Sequence, residues 1–378
     1  MKKKVVNPFI CQGYESPEYF CDRVKETKDI VQLLTNNNNM ALISPRRLGK
    51  TDLLYHCFNQ PQISKHYYTF IIDIYATSSL QDFVSIFGKA ILDTLKPRGK
   101  KVWEQFILSM KSLQQQISFD INGNPVWGIG FGTIDNPSAT LDEIFNYLNN
   151  ADKPCMVAID EFQQITHYPD GQNVEAALRT HIQRCPNATF IFAGSKRHLM
   201  GEIFTSPSRP FYQSVITMGL SPISIQKYTE FAIEMFSKNG KHLDAETTKV
   251  VYEKFDGITS CLQRVMNVLF LQTQHNGHCS VEMIDEAINY LLDLNSENYE
   301  TLWWQMTERQ RYVFTAIALE GKAKYITSGA FVKKYSLSSP SSVMSAVKGL
   351  LDKDFITQEN DAYIIYDKFF ALWLLRRI

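Results

Sequence analysis

Several things are missing from this chain, and each closes off a class of function. Net charge is absent: 39 Lys and Arg stand against 39 Asp and Glu. The whole molecule therefore lacks the polybasic signature of obligate nucleic-acid binding, although a local basic face stays open. No window approaches the ~20 consecutive apolar residues that span a bilayer, so no membrane partner is expected. Cysteine pairing is absent too. Cys11, Cys21, Cys57, Cys155, Cys185, Cys261 and Cys279 are odd in number and contain no C-x-x-C, which reads as reduced thiols, mostly small core residues. The opening MKKKVVNPFI reaches polar Asn7 and Pro8 without an apolar signal core, so the expected location is the cytoplasm. There is no repeat and no low-complexity tract.

What is present is an ordinary globular composition, 44% hydrophobic and 21% charged, over 378 residues, which suggests two or three domains. Residues 21–35 have the apolar spacing of an amphipathic helix. Short apolar runs at 40–43, 67–75, 153–160 and 188–194, with a weaker one at 213–220, alternate with helical patterns at 50–58, 79–95, 138–150 and 173–184. Strands alternating with helices imply right-handed crossovers and a mostly parallel sheet. Within 116–132, two alternating runs flank Asn122-Gly123, the strongest short hairpin signal. From about 221 the pattern is helical: 224–238, 244–256, 259–273 and 280–305. Helical patterns at 307–320, 327–335 and 339–352 precede an alternating stretch at 354–367, the outline of a winged helix-turn-helix.

The chemistry concentrates in SPRRLGKT (44–51). It nearly matches the phosphate-binding pattern G-x-x-x-x-G-K-[ST], with Ser44 in place of the first glycine. Such a loop converges backbone N–H groups and a helix N-terminus on an anion. Gly49 lets the backbone approach phosphate, Lys50 reaches the β/γ-phosphates and the Thr51 hydroxyl ligates Mg²⁺. Pro45 biases Ser44 toward an extended conformation, so the loop can turn there without positive φ. PCMVAIDEFQQI (154–165) ends an apolar strand with Asp160 and Glu161. Ligands bind at the carboxyl ends of strands in an open α/β sheet. One carboxylate there can hold the Mg²⁺ shell and the other can deprotonate a water. A third strand ends at Gly194-Ser195, where a hydroxyl can bond the γ-phosphate or the water. Arg197 and His198 follow, readable equally as surface charges.

Together these stretches resemble the archaeal-type ATPase family, a branch of the AAA+/STAND P-loop NTPases, here in what looks like a bacterial member. YFCDRVKET (19–27) is similar to the family's F-x-G/D-R-x-x-E box, SPRRLGKT to its G-P-R-R-x-G-K-[ST], AIDEFQQI (158–165) to its hydrophobic-D-E-hydrophobic-Q/D strand, and FAGSKRHLM (192–200) to its G-S box. The resemblance covers about 20–270, and the tail more loosely. It implies an α/β fold: an AAA+-like parallel sheet flanked by helices (1–220), a helical subdomain (221–305) and a winged-helix domain (306–378). It also implies an ATPase with ATP and Mg²⁺ as cofactors. Phe20 and Arg23 would lie near the adenine. Ser44, Pro45, Arg46, Arg47, Leu48, Gly49, Lys50, Thr51 and Asp52 would line the nucleotide, and Thr51 and Asp160 would hold the metal. Glu161 would be the catalytic base, Lys50 would act on the phosphates, and Ser195 would sense the γ-phosphate. Two departures are Ser44 and Thr259, the latter standing where the family's G-x-P box has proline. Arg264 is open as a second sensor or a surface residue, and Arg197, Arg209 or neither as an arginine supplied to a neighbouring copy.

HNGHC (275–279) offers His275, His278 and Cys279, but no second cluster completes a tetrahedral metal site. Trp303, Trp304, Phe369, Phe370 and Trp373 read as core. Residues 301–378 have 11 Lys/Arg against 7 Asp/Glu, yet the candidate recognition helix carries only Lys348 and Lys353. A DNA or a protein partner is open for the winged helix, as is a homo-oligomer. A nucleotide-gated interaction or DNA-binding regulatory module with little turnover is the alternative to an ATPase that couples hydrolysis to motion.

Overall fold

The computed structural model describes residues 5–95, 117–119, 125–127, 134–359 and 361–378. The chain divides into two compact units, one of Ile10–Tyr228 with Ile258–Ser260, the other of Met1–Phe9, Thr229–Gly257 and Cys261–Ile378.

In the first unit, α1 (Val24–Thr35), β1 (Met40–Ile43), α2 (Lys50–Phe58), β2 (Tyr68–Asp73) and α3 (Leu80–Thr94) follow one another. After the short strands β3 (Ile117–Phe119) and β4 (Pro125–Trp127) come α4 (Pro137–Asn149), β5 (Cys155–Asp160), α5 (Gly171–Gln183), β6 (Ala188–Gly194), α6 (Arg197–Thr205) and β7 (Ile216–Gly219). Five strands form one parallel sheet in the order β2-β5-β6-β1-β7. β3 and β4 pair antiparallel, Ile117 opposite Trp127, as the hairpin signal requires. Its Asn122-Gly123 turn lies outside the described residues.

The apolar runs lack polar alternation because both sheet faces are covered. Phe70, Ile72, Val157, Ile159, Phe190 and Phe192 pack on one side with Phe83, Phe87, Ile144 and Leu178 of α3, α4 and α5. Met40, Leu42, Met156, Ala158, Ile191 and Ala193 pack on the other with Ile30 of α1 and Leu53 and Leu54 of α2. With period two along each strand, one residue serves each helical layer.

An ion pair also sits inside this unit. The Glu175 carboxyl of α5 is fully buried and bonded to the Arg209 guanidinium, which also reaches Glu202 of α6 at 3.2 Å. Arg209 is thereby engaged by two carboxylates of its own chain. Glu175 Oε2 finds no hydrogen-bond partner, and burial pushes the carboxyl up to about 7 against the pull of Arg209. That lies above the unfolded value of about 4.3, so the folded state keeps a proton that the unfolded state loses. Stability contributed by this group therefore falls as pH rises from about 4.3 toward 7. Arg209→Leu should cost roughly 3–5 kcal/mol by stranding a buried carboxylate, and less at pH 5 than at pH 8. Denaturant unfolding at the two pH values measures both effects.

The second unit is helical, then mixed. It holds α7 (Ile225–Lys238, from Thr229), α8 (Ala245–Lys254), α9 (Thr259–Gln272, from Cys261), α10 (Ile284–Leu294) and α11 (Ser296–Trp304). The helical pattern at 280–305 breaks at Asn295 into two helices. Phe9 packs against Phe231, Phe236 and Phe270. Two-residue strands β8 (His242–Leu243) and β9 (His278–Cys279) pair in parallel. HNGHC thus forms part of this pairing, with His278 3.1 Å from Asp244; among the described residues no three or more His, Cys, Asp or Glu side chains are grouped to hold a metal ion.

The winged helix consists of α12 (Glu308–Glu320), α13 (Gly329–Lys334), α14 (Pro340–Asp352), the antiparallel wing β10 (Ile356–Glu359) and β11 (Ala362–Ile365), and α15 (Lys368–Leu375). Thr307 and Gln310 form a capping box at the start of α12, which satisfies backbone donors that would otherwise be orphaned. Phe369, Phe370 and Trp373 are core as expected. Trp304 is not: it is 66% exposed, with the Arg311 guanidinium 4.8 Å from its ring. Among the described residues no helix is long and apolar enough to cross a membrane.

Candidate functional site

At the carboxyl edge of the sheet, β1 gives way to the loop 44–49. Ser44 is fully buried; its N–H donates to the Gly194 carbonyl (3.2 Å) and its hydroxyl to the Pro45 carbonyl (3.0 Å). Its φ is not positive; the left-handed residues of the loop are Arg47 (φ 69°) and Gly49 (φ 82°). The loop therefore turns at Arg47, whose carbonyl accepts from Ser260 N–H (3.1 Å). α2 then starts at Lys50.

Register brings the acidic pair to the same edge. β5 ends at Asp160, and Glu161 turns left-handed (φ 55°), which lets Phe162 plug into the core 4.5 Å from the Phe192 ring. The hydrophobic residue after the pair is therefore an anchor for the turn. Lys50 Nζ lies 2.8 Å from Asp160 Oδ1 and 3.3 Å from Glu161 Oε1. The Thr51 hydroxyl donates to Asp160 Oδ2 at 2.5 Å. Glu161 Oε2 accepts from the Ser195 hydroxyl (2.8 Å) and from Gln163 Nε2, and Arg46 Nε donates to Ser195 Oγ (3.0 Å). Lys50, Thr51, Asp160, Glu161, Ser195 and Arg46 thus meet at one point. Asp73, paired in register with Asp160, adjoins them. Partial burial and the repulsion of Asp160 and Glu161 push its carboxyl up, against the Tyr75 N–H bond that lowers it.

The upstream box packs around this loop and α2. Arg23 is 3% exposed. Its guanidinium pairs with Glu26 (2.8 Å) and donates to the Leu48 carbonyl (3.3 Å), bracing the loop from behind. Phe20 stacks on His56 of α2 (4.3 Å between centroids, 16° between planes), and His56 Nδ1 lies 3.1 Å from the Tyr14 hydroxyl. Burial holds the His56 pKa below its usual value. Asp52 lies in the first turn of α2. Arg264 stands over the Phe369 ring at 5.9 Å. Arg197 starts α6, and its side chain lies outside the described residues.

The donor set fits a hard divalent cation. Thr51 offers a hydroxyl and Asp160 a buried carboxylate, side by side, and oxygen ligands of this kind suit Mg²⁺.

The family described as "ATPase domain predominantly from Archaea" matches residues 20–265. The chain belongs to that family. A second family, described as "Probable winged helix domain", matches residues 297–376, in agreement with the helices and wing seen there. Among solved structures, the chain is similar to the Walker-type ATPase PABY2304 of Pyrococcus abyssi, with TM-score 0.66 and 20% identity over 98% of this chain and 100% of that one. It is also similar to the Aeropyrum pernix ORC2 protein in its ADP form (TM-score 0.56, 12% identity, 98% and 97% covered). The Aeropyrum pernix ORC1 protein in complex with DNA gives TM-score 0.54 at 9% identity, with 98% and 96% covered. At these identities the likeness is one of fold. No curated protein matched the chain by sequence. As a member of the ATPase family, the chain is an ATP-binding P-loop NTPase with Walker A and Walker B elements and a C-terminal winged helix.

Sequence reasoning missed Gln163 as the Glu161 partner, the His56–Tyr14 pair and the brace at Arg23. Gln163 had a signal, the glutamine inside the D-E-hydrophobic-Q pattern. The others depend on which helix faces which. Gly194 is also informative. A Cβ there would collide with Gln163 Oε1 and Met200 Sδ, so Gly194→Ala should displace the side chain that holds Glu161. Overpacking of this kind costs about 1–3 kcal/mol; the expected result is a lower Tm together with reduced turnover.

Proposed function

We propose that this P-loop NTPase is an Mg²⁺-dependent ATPase in which hydrolysis drives conformational change of its helical and winged-helix parts. The observation that carries the reading is the meeting of Lys50, Thr51, Asp160, Glu161 and Ser195 at one sheet edge. Loop amides and Lys50 would bind the phosphates, and Thr51 and Asp160 would hold Mg²⁺. Bound there, Mg²⁺ would neutralise charge on the phosphate oxygens. Glu161 would orient the attacking water and take its proton, and the Ser195 hydroxyl would bond a terminal phosphate oxygen. Phe20 and Pro45–Asp52 complete the proposed nucleotide contacts, with Arg23 and the buried Ser44 acting through the loop backbone. Phosphate release from ATP should require Mg²⁺ and stop on EDTA addition; equal release in EDTA would remove the metal from this scheme.

A second reading, a nucleotide-gated module with little turnover, is favoured by one observation. Lys50, Ser195 and Gln163 occupy both Glu161 oxygens, so a water must displace one of them to reach the proposed base. Bound nucleotide with no phosphate release at any Mg²⁺ concentration would select this reading.

The domain assignment 1–220, 221–305 and 306–378, a cytoplasmic location and a homo-oligomeric form belong to the same proposal. For the winged helix we assign a macromolecular partner, DNA or protein. The exposed positions of α14, Pro340, Ser341, Met344, Ser345, Lys348 and Asp352, carry one cation and one anion, whereas a duplex reader neutralises several phosphates. Duplex DNA binding that weakens with salt would select DNA, and its absence at low salt would select protein.

A further inference from the structure

Arg46 and Ser195 are 149 residues apart, yet the Arg46 Nε–H donates to Ser195 Oγ (3.0 Å) and the Ser195 hydroxyl donates to Glu161 Oε2 (2.8 Å). The direction of this chain is fixed by chemistry. A guanidinium has donors and no acceptor, and a serine hydroxyl has one proton. With Arg46 on a Ser195 lone pair, the single proton is directed at Glu161. Gln163 Nε2 donates to the same carboxylate oxygen, and Lys50 faces the other.

These donors occupy both Glu161 oxygens, so an attacking water must displace one of them to reach the carboxylate. An ionised terminal phosphate is an acceptor, and it would compete for the one proton of Ser195. If the hydroxyl turns to the phosphate, Glu161 regains a lone pair for water. No covalent bond changes in this exchange; one hydrogen bond is re-aimed. ADP lacks the terminal group and would leave the chain as it stands.

We propose that Arg46 is a positioning residue that holds Ser195 as a one-proton donor shared between Glu161 and a terminal phosphate, so that triphosphate recognition and release of the base are one event. Arg46 lies in the loop that meets the phosphates, between Pro45 and the left-handed Arg47, so the loop itself aims the sensor. The inference rests on the nucleotide-site reading above.

The test is equilibrium binding of a fluorescent non-hydrolysable ATP analogue and of fluorescent ADP to the full chain, in wild type, Arg46→Ala, Arg46→Lys, Ser195→Ala and the Arg46→Ala/Ser195→Ala double variant. A hydrogen bond to a charged group contributes enough for the preference for triphosphate over ADP to fall roughly tenfold in either alanine variant. The readout is the ratio of triphosphate to ADP affinity, so any loss that Arg46→Ala causes to both ligands cancels, and a wild-type circular dichroism spectrum reports an intact fold. The double variant should lose no more than one single variant, because both act through the same hydroxyl. Arg46→Lys should fail to restore the preference, since an ammonium lacks the planar Nε donor. The proposal is overturned by multiplicative losses in the double variant, by equal weakening of ADP, by full rescue with lysine, or by an unchanged Arg46→Ala. A wild type that binds neither nucleotide overturns instead the reading on which it rests.

Discussion

Glu161→Gln should lower ATP turnover by about 10²–10⁴-fold, the range for removal of a general base, while nucleotide affinity stays close to wild type. Glutamine has the same shape, so the left-handed turn and the Phe162 anchor should persist. Lys50 keeps its 2.8 Å contact to Asp160, so the site does not lose its cation. What disappears is the ability to take a proton from water. The combination is diagnostic: a carboxylate with only a structural role would lower stability and binding rather than the rate alone. Single-turnover phosphate release beside equilibrium binding separates these, and a variant with wild-type turnover would exclude Glu161 as the base.

Lys50→Ala should affect both binding and stability. Lys50 is 7% exposed at the head of α2, between two carboxylates. Without it, the phosphates lose a charge-assisted bond, roughly 1.5–3 kcal/mol, enough for about a ten- to hundredfold weaker affinity. Asp160, 3% exposed, would then keep the Thr51 hydroxyl and the Glu161 N–H (2.9 Å) but no cation. Stranding a buried carboxylate costs up to about 3–5 kcal/mol, less where hydrogen bonds persist, so Tm should fall. Added Mg²⁺ should recover part of that loss in the variant, since a divalent ion on the same oxygens replaces the missing charge. Unchanged Tm and unchanged ATP affinity in Lys50→Ala would contradict the assigned role.

The sequence by itself determined the layers and the identity of the reacting groups. Apolar runs of four to nine residues, alternating with amphipathic helices, demanded a sheet covered on both faces, and the first three helices of the winged helix start within two residues of the expected positions 307, 327 and 339. Lys50, Thr51, Asp160 and Glu161 were legible because each element ends locally, with a glycine before α2 and an acidic pair after β5. Those are short-range facts of propensity and period. The strand order β2-β5-β6-β1-β7 was not legible, nor was anything that follows from it. Arg46 reaches Ser195 only because β1 and β6 are neighbours. That the Arg23 guanidinium is held by Glu26 and the Leu48 carbonyl, and that Arg209 is claimed by Glu175 and Glu202, followed only from the folded chain. Ser44 enters the loop without positive φ, as expected, but that the left-handed turn falls at Arg47 while Ser44 continues the β1–β6 ladder to Gly194 was visible only in the structure. In each case a polar group was captured by a partner distant in sequence. Such captures are set by side-chain geometry after the strands pair, and no local pattern encodes them.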